Sequence, residues 1–194
     1  MEEKIVYFEE PGVCNTEETL HLALERTKAR GIKKIVLAST RGDTARLAAE
    51  RLKRTGITMV VIPHPYGFGQ VQRFPLELVK TLEKQGHSVH FATTLFHTEE
   101  LYGSTTPRVM AFLLRTFSQG MKVCVEMVMM AVDGGHVAAG EKVIVIAGTG
   151  RGSDTAIVVQ AASSRDLTNL HITEIICKPF QTMQRVPNFV PEEG

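Results

Sequence analysis

Three short stretches of this chain, IVLA at 35–38, MVVI at 59–62 and VIVIAG at 143–148, contain no charged or strongly polar residue. A strand that is apolar on both faces must be covered on both. Such strands occur almost only in parallel sheets flanked by helices. An earlier run, KIVYF at 4–8, is rich in β-branched and aromatic residues and reads as a further strand. Between these runs lie helical patterns. TEETLHLALERTKARG (16–31) sets Leu20, Ala23, Leu24 and Thr27 at helical spacing, with acids in its first turn and Gly31 as a stop. DTARLAAERLKRTG (43–56) does the same and ends at Gly56. The resulting β-α-β-α-β order with short joints predicts a three-layer α/β/α sheet protein.

Farther along, PLELVKTLEKQG (75–86) reads as a helix and HSVHFATT (87–94) as a strand, while LFHTEELYGSTT (95–106) is a loop or partial helix. After Pro107, placed as a first-turn proline, a helical pattern runs from Arg108 to about Asp133, with Gly120 as its natural break. TAIVVQA (155–161) and HITEIICKP (171–179) complete the set as strands. No composition shift marks a linker, so residues 1–194 are expected to form one domain, with 181–194 as an extended tail.

The loops beyond the carboxyl ends of these strands carry nearly all of the reactive-looking groups: EEPGVCNT, STRGDT, PHPYGFGQ and GTGRGSD. Ligands of open parallel sheets sit at those ends. A phosphate needs several N–H and O–H donors and a positive field. Small residues let the backbone come close, Ser and Thr add hydroxyls, and a following helix adds its N-terminal dipole. Ser39, Thr40, Arg41, Gly42 and Thr44 offer this set, Arg41 as a fork for two phosphate oxygens and Asp43 as a cap for the helix amides. Gly148, Thr149, Gly150, Arg151, Gly152 and Ser153 repeat it with more glycine than a turn requires. Either loop alone is also ordinary strand-to-helix turn chemistry. Neither matches the P-loop or the full dinucleotide fingerprint, which disfavours nucleoside triphosphate hydrolysis and NAD.

Composition excludes other classes. Net charge is +1 and no basic cluster appears, so neither nucleic acid nor an anionic membrane is an expected partner. The most apolar stretch, near 121–132, is broken by Lys122 and Glu126, and the acidic N-terminus lacks a signal-peptide core. Three scattered cysteines without CxxC predict neither a disulfide framework nor a zinc site. A cytoplasmic protein without a bound metal is the expectation.

The stretch 15–62, from NTEETLHLALERTKARG through STRGDTARLAAERLK to TMVVI, resembles the start of the C-terminal α/β domain of pyruvate kinase. GTGRGSDTAIVV is similar to that domain's late glycine loop, which runs into an antiparallel strand. The resemblance implies a mostly parallel sheet with one antiparallel strand near the C-terminus. In many pyruvate kinases the two loops grip the phosphates of a sugar bisphosphate effector. Carried over, that implies phosphate contacts from Ser39, Thr40, Arg41, Gly42 and Thr44 and from Gly150, Gly152, Ser153 and Thr155, as two walls of one anion site. RTFSQGMKVCVE and EIICKP extend the likeness to a group of stand-alone prokaryotic proteins built from this domain, which implies bound flavin mononucleotide (FMN). Pyruvate kinase chemistry resides in a (β/α)₈ barrel of roughly 250 residues, longer than this chain, so no pyruvate kinase activity is expected.

Several residues keep two readings. Cys14 and Asn15 face a ligand from a strand-end loop, or Cys14 is simply a small semi-buried thiol. His64, Tyr66 and Phe68 stack on a flavin ring, or the aromatics pin a Pro/Gly loop. Glu126 pairs with Lys122 one turn earlier, or faces the cavity. A phosphate- or flavin-binding module is preferred over a flavin- or sugar-phosphate-dependent enzyme using Cys14, His64 or Glu126, because no triad, paired carboxylates or metal set appears. The two-sided apolar pattern over 107–133 predicts a homo-oligomer.

Overall fold

A computed structural model describes residues 2–97 and 106–181. Seven strands form one sheet: β1 (Val6–Phe8), β2 (Lys34–Ala38), β3 (Thr58–Ile62), β4 (Ser88–Val89), β5 (Lys142–Ala147), β6 (Thr155–Gln160) and β7 (His171–Pro179). Their spatial order is β1-β7-β6-β5-β2-β3-β4. The pairs β1–β7, β2–β3, β2–β5 and β3–β4 are parallel, whereas β6 runs antiparallel to both β5 and β7. One reversed strand in an otherwise parallel sheet is the arrangement the sequence implied.

The strands alternate between two cores, as a period of two requires. Ile35, Leu37, Met59, Val61, Ile144, Ile146 and Val158 pack under the helices α1 (Thr16–Arg30), α2 (Asp43–Leu52) and α3 (Leu76–Lys84). Val36, Val60, Ile62, Val143, Val145, Ile157 and Val159 face the opposite side. There they meet Met121, Cys124, Met127 and Val128 of α5 (Gln119–Asp133). A shorter helix, α4 (Thr106–Arg115), lies against the outer side of α5, where Phe96, Ala111, Val125 and Met129 form a satellite cluster.

Three expectations change. The run 87–94 pairs only over Ser88–Val89, and KIVYF only over Val6–Phe8. The pattern from 108 to 133 is two helices, and its break lies at Ser118 rather than Gly120. Ser118 is extended (φ −174°, ψ 163°), and its hydroxyl accepts the Met121 N–H, which starts a new helix. Gly120 stays inside that helix because a Cβ there would run into Thr155 and Asp154. The apolar surplus read as two sides of one helix is therefore divided: α5 is buried between sheet and α4, and exposed apolar surface falls on α4, with Val109 63% and Leu113 64% exposed. Of the predicted tail, residues 182–194 lie outside the described residues, as do 98–105 of the middle loop.

Candidate functional site: a cationic cleft at the strand ends

The carboxyl ends of β2, β3 and β5 open into a cleft of about 1760 Å³. Both glycine loops line it, through Ser39, Thr40, Arg41 and Thr44 on one side and Gly148, Thr149, Gly150, Arg151 and Gly152 on the other. Arg151 approaches Asp43 to 3.8 Å, so the loops stand side by side. The two loops border one cleft.

The first loop is a strand-to-helix turn. Gly42, at φ 90°, is the N-cap residue of α2 and is buried against Leu78 and Pro75, so its place is structural and it does not line the cleft. Asp43 does not cap the helix, as the sequence suggested. The Ser39 hydroxyl takes that role by accepting the Ala45 N–H at 3.3 Å. The exchange leaves the first amides of α2, on Asp43 and Thr44, with no acceptor among the described residues.

The second loop folds back on itself. A Cβ on Gly148 would strike Gly152 and Ser153, and one on Gly152 would strike Thr16 and Val13. Those two glycines are required by packing. The loop is tied from below by Asp154, which is fully buried. Its Oδ2 accepts the N–H groups of Gly12 at 2.9 Å and Thr149 at 3.0 Å, and its Oδ1 accepts the Thr155 hydroxyl at 2.8 Å. Ser153 and Thr155, expected at the phosphate, point into the protein instead. The Ser153 N–H donates to Thr16 Oγ1 at 2.9 Å, while the Thr155 and Ser118 hydroxyls lie 3.2 Å apart. Gly150 and Gly152 take positive φ just before Ser153, and both Ser153 and Thr155 are fully buried rather than lining the cleft.

Three helices begin at this cleft: Thr16 and Glu17 of α1, Asp43 and Thr44 of α2, and Gln119 of α5 with its cap Ser118 all line it. Each helix start carries a partial positive charge of roughly half a unit. The side chains add Arg41, Arg73, Arg108, Arg115, Lys122 and Arg151 against Glu17, Asp43 and Glu126. Six cations against three acids, over three helix starts, make the cleft a positive sink in a protein of net charge +1.

The remaining wall is apolar and aromatic, with Phe68, Phe96, Phe112, Met127 and Met130. His64 and Phe68 line it and stack on each other at 4.0 Å. Tyr66 lies outside and packs on Phe91 at 4.9 Å. Cys14 is exposed beside the cleft, and Asn15 donates its amide to the Glu10 carbonyl at 2.7 Å, so neither lines it. Cys124 and Cys177 are buried in the cores, and burial pushes both thiols up, Cys177 to about 12. Among the described residues no three His, Cys, Asp or Glu side chains group as a metal site, and no helix is long and apolar enough to cross a membrane.

The floor holds an ion pair. Lys122 and Glu126, one turn apart on α5, bond to each other and are 2% and 3% exposed. The Phe96 N–H donates to Glu126 Oε1 at 2.9 Å, and the Lys122 ammonium lies 5.4 Å from the Phe96 ring centre. Burial lowers the Lys122 pKa from the ordinary lysine value, Glu126 opposes that shift, and Arg115 adds to it. The pairing expected for Glu126 is therefore observed, at the cleft. Asp154, Ser118, Arg73, Arg108 and Arg115 were not foreseen as parts of the site. Asp154 was visible as the acid after the second loop, in the place Asp43 holds after the first, but nothing local distinguishes a buried acid from an exposed one.

A parallel sheet with one reversed strand, and two glycine loops meeting at its carboxyl edge, defines the class of this chain as an α/β domain with an open cleft at its strand ends. The family model for the pyruvate kinase α/β domain matches residues 17–159, and the chain belongs to that family. Among solved structures it is similar to pyruvate kinases from Cryptosporidium parvum. One match has TM-score 0.43 and 16% identity over 76% of this chain and 23% of that one. A second, of the enzyme in complex with ADP, has TM-score 0.43 and 17% identity over 76% of this chain and 24% of the other. This chain thus spans about a quarter of the length of the enzymes it matches.

Proposed function

We propose that this protein is a binding module for a phosphorylated small molecule, with FMN as the ligand and without pyruvate kinase activity. One observation carries the reading: two glycine loops and three helix starts converge with Arg41 and Arg151 on one cleft. Helix starts and backbone amides in a positive field are suited to a phosphate or another compact anion. The cleft also has room for the rest of FMN. Its volume of 1760 Å³ exceeds the roughly 300–1,000 Å³ of most small-molecule sites. Phe68, Phe96, Phe112, Met127 and Met130 supply the apolar wall that a flat ring needs. Bound there, FMN would supply one- or two-electron transfer through its ring. The protein's part is to neutralise the phosphate with Arg41, Arg151 and the α2 amides and to keep water from the ring with the aromatic wall.

Titration with FMN, followed by quenching of flavin fluorescence, tests the reading. Saturable one-to-one quenching is expected, competed by inorganic phosphate. Unchanged fluorescence across the titration overturns FMN as the ligand. The alternative, a flavin- or sugar-phosphate-dependent enzyme, draws on the Lys122–Glu126 pair as a proton-transfer group within the cleft. Bleaching of the bound flavin by a pyridine nucleotide would favour it. The exposed apolar side of α4 (Val109, Phe112, Leu113) supports a homo-oligomer, and light scattering that returns a mass near 21.4 kDa would remove that part.

A further inference from the structure

The α5 floor of the cleft carries two buried charges, and the fold accounts for only part of this, since Glu126 accepts the Phe96 N–H. Around Lys122 and Glu126 the buried positions of the helix are Met121, Cys124, Val125, Met127, Val128 and Met129. A buried ion pair is on average no more stabilising than well-packed apolar residues of similar volume. A Met at 122 with a Gln at 126 would have kept the packing and an acceptor for the Phe96 N–H with neither charge. The pair is nevertheless kept, and both members line the cleft.

The pair is also unevenly satisfied. Glu126 is held at both oxygens, Oε1 by the Phe96 N–H and Oε2 by Lys122. An ammonium has three donors. Lys122 gives one to Glu126 and sets another face over the Phe96 ring, which leaves donor capacity on a residue that lines the cleft. Arg115 reinforces the positive charge there. Its Nε donates to Gln119 Oε1 at 2.8 Å, which orients the guanidinium at the cleft. Lys122 and Arg115 against Glu126 leave the floor with one positive charge in excess.

Distance separates this floor from the glycine loops. The cap of α5, Ser118, touches Thr155 at the base of the second loop. Lys122 and Glu126 follow one and two turns later, about 6 and 12 Å down the axis at the helical rise. One small ligand can span that interval.

We propose that this floor is a second anion subsite, where Lys122, flanked by Arg115, receives a negatively charged oxygen at the ligand end opposite the phosphate. The inference rests on the phosphate reading above and specifies it: the preferred ligand carries a phosphate at one end and a carboxylate or enolate-type oxygen at the other. The shared chemistry is an oxyanion, whether borne on an open chain or on a ring.

Two probes separate the subsites. Sorbitol 6-phosphate and 6-phosphogluconate share a six-carbon chain and a phosphate, and differ in a terminal alcohol against a carboxylate. Calorimetric titration is expected to show 6-phosphogluconate binding tighter by about tenfold or more, the yield of one charge-assisted hydrogen bond. In the double variant Lys122→Met/Glu126→Gln, which leaves neither charge alone, the preference should shrink to about twofold or less while sorbitol 6-phosphate binds as before. Arg115→Gln, a partly exposed position, should reduce the preference too and carries the test if the double variant does not fold. Equal affinity of the native protein for both probes, or a preference that survives these variants, overturns the second subsite and leaves the phosphate site standing. Failure of sorbitol 6-phosphate and inorganic phosphate alike to bind overturns the phosphate reading, and the inference falls with it.

Discussion

Asp43-Thr44-Ala45 and Asp154-Thr155-Ala156 are the same three letters, each placed just after an arginine-bearing glycine loop. Their structures are opposite. The first triplet opens α2, with the Asp43 side chain 67% exposed. The second opens β6, with Asp154, Thr155 and Ala156 all fully buried. The residues after each triplet decide the difference. RLAAERL is made of strong helix formers, whereas IVVQ is β-branched and pairs between β5 and β7. Burial then converts one carboxylate into a clamp for three donors and leaves the other a solvated charge. The loops meet at one site, but one is a helix start open to a ligand and the other a pre-wired turn.

The largest expected effect is at Asp154. Replacing it by Ala strands the N–H groups of Gly12 and Thr149 in a dry interior, and an unsatisfied buried donor costs about 1–3 kcal/mol. Asp154→Ala should therefore lose about 3–5 kcal/mol of stability in urea unfolding, while Asp43→Ala stays within about 1 kcal/mol of the native protein. Similar losses at both positions would erase the contrast.

Next in size are the two arginines, which the comparison places alike, both exposed at the cleft. Arg41→Ala and Arg151→Ala should each weaken the binding of FMN or inorganic phosphate by about 1.5–3 kcal/mol, the value of a hydrogen bond to a charged group. Melting temperatures without ligand should hardly move, since neither side chain is buried. Unchanged affinity in both variants would remove the two-wall site. A large fall in melting temperature would instead make the arginines structural.

How far these contrasts were legible in the sequence depended on the range of the deciding contact. The all-apolar strands, the helix stop at Gly31 and the strand character of 155–160 follow from neighbours in sequence, and they stand in the structure, whereas the second helix, expected to run to Gly56, ends at Leu52. The two loops were recognisable for the same reason, and so was Lys122 with Glu126, one turn apart. Ser153 and Thr155 were misplaced because their partners are remote in sequence: Thr16 bonds the Ser153 N–H from 137 residues away, and Ser118 meets the Thr155 hydroxyl from 37. The capping role went from Asp43 to Ser39 because the bond from the Ala45 N–H spans six residues around a left-handed Gly42, which no local pattern shows. Arg108 and Arg115 reach the site only because α4 folds back on α5, a consequence of the break at Ser118.

The smallest expected effect tests whether Asp43 belongs to the ligand site or merely borders it. Its carboxylate lies 3.8 Å from both Arg46 and Arg151, and all three side chains are at least half exposed. An exposed ion pair contributes roughly 0–1 kcal/mol, so Asp43 holds Arg151 only loosely. It does compete with a phosphate for that guanidinium and repels the phosphate's own charge. Asp43→Asn removes both effects and keeps the size of the side chain. Affinity for inorganic phosphate should rise by about two- to threefold in dilute buffer, a change within the reach of one exposed charge. The gain should fade near 0.15 M salt and above, where screening acts over about 8 Å. Stability should fall slightly, because a carboxylate in the first turn of a helix interacts well with its dipole. Weaker binding in Asp43→Asn would mean that the carboxylate holds Arg151 in its working position. The first loop would then be wired to the second through Asp43, as the second is wired internally through Asp154.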